Sequence, residues 1–200
     1  MQVGTDLFAI SDAKLQVTKF ANMVNKLRNV EAEAMACLNK QRQYHTSSAY
    51  EDQAIYVIGG LVQDALLSES KANVYRFDIQ ANQFARAPKL HKARQRASSC
   101  MISGNLYTVG GWDSSEQGVD SIERLNVKEG AREWELFNIR AISSRRELMV
   151  GPLNDREMLV AGGYDSESLS SVKIVDLQDM SCRQVLQDSQ KIFYCRARAV

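Results

Sequence analysis

Apolar residues in this chain collect in short runs that end on paired glycines. Ala54-Ile-Tyr-Val-Ile-Gly-Gly60, Asn105-Leu-Tyr-Thr-Val-Gly-Gly111 and Glu157-Met-Leu-Val-Ala-Gly-Gly163 are three copies of one phrase, with first glycines 51 and 52 residues apart. About five β-favouring residues bounded by glycine predict a buried strand, because a helix that short seldom stands alone. The pairs Gly59/Gly60, Gly110/Gly111 and Gly162/Gly163 permit positive φ and close approach of a neighbouring backbone, which makes them structural repeat positions. A polar loop follows each pair, and then a second strand-like run: Asn73 to Ile79, Ser121 to Val127, Ser171 to Leu177. A last strand carries Phe84 or Trp134, with Arg183 near that place in the third copy. Adding the segment before each apolar run, such as Ala97 to Ile102, gives four strands per unit. One such sheet cannot bury both faces, so the units must stack side by side.

Upstream of the runs stand Arg42, Arg94 and Arg146, spaced 52 and 52. Each precedes an innermost strand and is expected at one rim of a central channel. There, guanidinium groups could clamp the carboxylates of an acidic peptide, or bridge to the neighbouring sheet through backbone carbonyls. The loops after the glycines offer Trp112, Asp113, Tyr164 and Asp165 as a contact surface or as loop packing. Lys92, Arg94, Arg96 and Arg145 read as a basic, solvated rim without the aromatic interleaving of a nucleic-acid site.

Four strands in about 50 residues, a Gly-Gly pair closing the second and an aromatic in the fourth resemble the kelch repeat. The resemblance implies an all-β fold: a kelch-type β-propeller, or a fragment of one, built of four-stranded antiparallel blades. Blades are expected over 42–93, 94–145 and, degenerate, 146–190, where Leu159 replaces Tyr56 and Tyr107. Residues 1–41 would hold a partial preceding blade, with Asp6 to Ser11 and Lys14 to Phe20 as its third and fourth strands, and 191–200 the start of a following one. The ring within this chain is expected to be incomplete, although its two ends could instead pair to close four blades. Between them, Phe20, Met23, Val24, Leu27, Ala34, Met35 and Leu38 follow helical spacing, so 20–38 is a candidate helical insertion, with an innermost strand over Asn29 to Asn39 as the competing reading.

Composition removes several classes of function. With 25 Lys+Arg against 24 Asp+Glu, no net field draws the chain to nucleic acid or anionic lipid. No apolar run is long enough for a membrane helix, and the first residues lack a signal-peptide pattern. Cys37, Cys100, Cys182 and Cys195 match no metal, haem or redox spacing, and read as thiols of a reducing, cytoplasmic compartment. His45 and His91 form no metal or triad spacing, so neither cofactor, metal nor catalytic residue is expected.

What the resemblance implies is a non-catalytic adaptor or scaffold that presents rim loops to a protein partner. A propeller enzyme holding a small anionic or sugar substrate, and a subunit assembled through open sheet edges, are the alternatives.

Overall fold

The computed structural model describes residues 2–3, 6–10, 17–21, 31–34, 42–63, 68–139, 142 and 144–186. Its main elements are four four-stranded antiparallel sheets. The first comprises β1 (Gln2–Val3), β2 (Asp6–Ile10), β3 (Val17–Ala21) and β4 (Glu31–Ala34), in that order. The second comprises β5 (Thr46–Tyr50), β6 (Ala54–Ile58), β9 (Val74–Asp78) and β10 (Gln83–Ala87), with the hairpin β7 (Leu61–Gln63) and β8 (Ser68–Ser70) inserted after the glycine pair. The third runs β11 (Ser98–Ile102), β12 (Asn105–Val109), β13 (Ser121–Asn126) and β14 (Glu135–Asn138). The fourth runs β15 (Met149–Pro152), β16 (Glu157–Ala161), β19 (Val172–Asp176) and β20 (Cys182–Leu186), interrupted by β17 (Tyr164–Asp165) and β18 (Glu167–Ser168).

Registers show that the second, third and fourth sheets are copies of one unit. Ile58 pairs with Val74, Val109 with Ile122 and Ala161 with Val172, so the glycine pairs leave their strands at the same point of the ladder. The repeated apolar runs become β6, β12 and β16, and β6 is buried at every position. Inner strand β11 packs between β5 and β15. Thr46 Oγ1 and Ser48 Oγ each meet Ser99 Oγ at 2.8 Å, and Ser98 Oγ donates to the Leu148 carbonyl, which sews adjacent inner strands together.

The core lies between sheets. One cluster joins Ala54, Tyr56, Ile58, Val74 and Leu90 of the second sheet to Leu106, Leu125 and Trp134 of the third. Another joins Cys100, Tyr107, Val109 and Ile122 to Met158, Val160 and Val175 of the fourth. Apolar faces that a lone sheet would leave wet are thus closed by the next one, and this burial drives the stacking.

Two expectations need correction. The candidate helix over 20–38 is not formed where it is described: Phe20 and Ala21 end β3, and residues 31–34 form β4, paired Thr18 to Ala34 and Ala21 to Glu31. Glu31-Ala-Glu-Ala34 alternates with a period of two, and ladder pairing overrides the helix preference of its residue types. Asp6–Ile10 and Val17–Ala21 are the two central strands of their sheet rather than its outer pair. Lys191 to Arg196, Cys37 and Cys195 lie outside the described residues.

Candidate functional site: the arginine clasps and the rim

The first two glycine pairs are where one sheet grips the next. All six repeat glycines have positive φ, between 60° and 97°. Gly60 N–H donates to the Arg94 carbonyl (2.8 Å) and Gly111 N–H to the Arg145 carbonyl (2.9 Å), each crossing to the following sheet. The approach is so tight that a Cβ on Gly59 would lie 2.4 Å from Arg94 O, and one on Gly110 2.4 Å from Arg145 O.

The arginines complete the clasp with their side chains. Arg42 Nη1 donates to Gly59 O (2.8 Å), Arg94 Nη1 to Gly110 O (3.0 Å) and Arg145 Nη1 to Gly162 O (3.1 Å). The structural equivalents are therefore Arg42, Arg94 and Arg145, and the even spacing to Arg146 is off by one residue. All three are buried, at 3%, 0% and 2% exposure, and their guanidinium groups turn to their own sheet rather than to the channel. Lys92, Arg94, Arg96 and Arg145 consequently make no continuous basic surface, since two of the four are interior.

What balances each buried cation differs between sheets. The residue one step along the third strand is Tyr75, Glu123 or Lys173 by register. Arg42 lies 5.5 Å over the Tyr75 ring. Arg94 Nη2 meets Glu123 Oε1 at 2.5 Å with both side chains fully buried, and the carboxylate also accepts from His91 N–H (2.6 Å) and Lys92 N–H (3.1 Å). Burial lowers the Arg94 pKa from its ordinary value, and the Glu123 charge works in the opposite direction. Arg145 places Nη2 3.1 Å from Ser171 Oγ. Burial, and secondarily the Arg145 charge, lower the Lys173 pKa.

The residues following these arginines form the rim. Tyr44, Arg96 and Glu147 all have φ near +53°, a conformation costly for side-chain-bearing residues and held by cross-sheet hydrogen bonds. Arg96 N–H donates to Tyr44 O and Glu147 N–H to Arg96 O, both at 2.9 Å. The Arg96 guanidinium stacks 3.8 Å from the Tyr44 ring centroid and pairs with the Glu147 carboxylate, linking three consecutive sheets. Tyr44 is 42% exposed.

One residue earlier in the repeat, Arg146 lies 3.5 Å over the Trp112 ring and 4.8 Å from the Tyr164 ring, so it bridges the loops of the third and fourth sheets. Main-chain bridges Gln95–Trp112 and Arg146–Tyr164 fix these loops. Asp113 serves its own turn, accepting from Ser115 and Gln117 N–H groups, and Asp165 lies in the β17–β18 hairpin. Of the sequence-nominated residues the structure thus joins Arg146, Trp112 and Tyr164, while Arg42 and Arg94 go to the interior. Glu123, Tyr44 and Glu147 escape sequence reading because their repeats share a position but not a residue type, while Arg96 and Arg145 read only as part of a solvated basic rim.

His91 Nε2–H donates to Trp134 O at 2.5 Å. No group of three His, Cys, Asp or Glu side chains among the described residues could hold a metal ion.

Antiparallel four-stranded sheets joined face to face through Gly-Gly turns define β-propeller blades. Residues 93–136, the third blade, match the Kelch motif family. The chain is similar to kelch repeat protein M-T9 of Myxoma virus (strain Lausanne), 28% identical over 83 residues, covering 42% of this chain and 15% of that protein. It is also similar to an F-box/kelch-repeat protein of Arabidopsis thaliana, 32% identical over 84 residues, with 42% and 20% coverage. The solved structure of YjhT superimposes with a TM-score of 0.77 at 12% identity, covering 92% of this chain and 63% of that one. The chain thus carries a Kelch motif over 93–136 and has the four-stranded blades of a kelch-type β-propeller, and its matched segment spans a fifth or less of the length of these curated relatives.

Proposed function

We propose that this chain is a non-catalytic kelch adaptor module that binds a protein partner at the rim formed by Tyr44, Arg96, Glu147, Trp112, Arg146 and Tyr164. The observation that carries the reading is Arg146 held between Trp112 and Tyr164 of adjacent blades, a half-buried cation–aromatic platform. Tyr, Trp and Arg are the residue types that dominate protein-binding energies. Arg96, already neutralised by Glu147, can exchange that internal carboxylate for one from an acidic segment of the partner. The kelch relatives, two of which bear F-box/kelch names, support a protein partner. Among the described residues, the free thiols of Cys100 and Cys182 fit a cytoplasmic setting.

The test compares partner capture by the wild type with capture by a Trp112→Ala/Arg146→Ala variant and by an Arg132→Ala control. A protein retained by the first and third but lost from the second, with its affinity reduced about tenfold or more, supports the rim. Equal retention by all three overturns it.

A further inference from the structure

One position recurs in the fourth strand of the second, third and fourth sheets. Phe84 pairs with Phe77, Trp134 stands one ladder step beyond the Arg124–Glu135 pair, and Cys182 pairs with Val175. Cys182, rather than Arg183, is therefore the equivalent of Phe84 and Trp134. The Trp134 indole, 3% exposed, packs with Leu106 and Leu125 of its own blade and with Ala54, Val74 and Leu90 of the blade before. Its Nε1–H donates to Pro88 O at 2.9 Å. At the next interface a thiol stands where that indole would be, beside a shallow cavity that is open to solvent. Leu136, Phe137, Ile139, Met180 and Cys182 supply its apolar lining. Asn138, which follows the Ile122–Phe137 pair as Pro88 follows Val74–Ala87, also lines it. The carboxylates of Asp120 and Asp179 complete the wall, and Lys92 approaches Asp120 at 3.7 Å.

We infer that this cavity receives a tryptophan side chain, flanked by a basic residue, from a partner polypeptide. The chain itself supplies the template, since the equivalent space one blade earlier holds an indole whose N–H meets the carbonyl at the position of Asn138. The two carboxylates favour a cationic neighbour on the incoming segment. Indole burial supplies contact area and its N–H the orientation. This site lies on the outer strands and does not rest on the rim reading.

The test uses indole and the N-acetylated dipeptide amide Trp-Arg as probes. In a Cys37→Ser/Cys195→Ser background, thiol labelling reads Cys182, because Cys100 is buried. Both probes should slow labelling saturably, about threefold at twice the dissociation constant, with the dipeptide acting at lower concentration. In the unmodified chain both should shift the Met180 methyl NMR signal, and Cys182→Trp, which fills the space, should abolish that shift. Labelling and methyl signals indifferent to both probes overturn the inference, as does a probe shift that survives in Cys182→Trp. Sensitivity that appears only after Phe193→Ala or Tyr194→Ala would show a ring of the chain itself in the cavity and would likewise overturn it.

Discussion

Glu123 and Arg94 share a dry interior in which neither could stand alone. The carboxylate accepts three donors, one from Arg94 and two from the backbone at His91 and Lys92, so it organises the turn entering the third blade as well as neutralising the cation. Glu123→Leu strands the Arg94 charge and two N–H groups, and should lower stability by about 3–5 kcal/mol in urea unfolding. A loss below about 1 kcal/mol would mean that water already solvates the pair. Cys100 provides a pH signature. Burial pushes its thiol up to about 12 from an ordinary 9.0, so the unfolded chain releases this proton first as pH rises. Stability is fully present below pH 9 and declines from there toward 12. Burial raises the Tyr107 and Tyr56 phenols as well, which extends the decline above 10. Cys100→Ala should flatten the fall that begins near pH 9, and identical slopes between pH 9 and 12 would show the thiol to be solvated.

At the scale of elements, the strands were readable because their apolar runs are short and punctuated, and the glycine pairs because backbone contact admits nothing larger. Gly110→Ala sets a methyl against Arg145 O and forces alanine to φ +64°, so it should cost about 2 kcal/mol or more, read as a lowered urea midpoint. A neutral result would show that the blades can slide apart there without loss. The arginine equivalence was legible only to within a residue. Arg145 and Arg146 are adjacent cations, and counting 52 chose the second, whereas the hydrogen bond to Gly162 O chooses the first. Arg183 was likewise one residue from the truth, since the ladder, not side-chain size, sets Cys182 opposite Val175. Residues 31–34 misled because Ala and Glu favour helices locally, and pairing with β3 is a long-range fact that no window of sequence contains.

Over the whole molecule, the repeat period carried the all-β, four-stranded architecture, and the structure adds how blades are joined: glycine N–H to the next arginine carbonyl, arginine side chain back to its own glycine carbonyl. Function was less legible. Tyr44, Arg96 and Glu147 occupy one repeat position with three unrelated side chains, so only coordinates reveal them as neighbours. The pattern divides the repeat's basic residues into two jobs. Those buried at the clasp hold the blades, and those one or two residues later face the rim, where the proposed partner binds.

Thermal unfolding of Arg94→Met beside Arg146→Ala tests this division most directly. The clasp variant should lose about 10 °C in Tm, as expected for some 3 kcal/mol or more in a chain of this size, while the rim variant should stay within about 2 °C of wild type. A rim variant that melts as early as the clasp variant, or a clasp variant that melts with the wild type, would contradict the account.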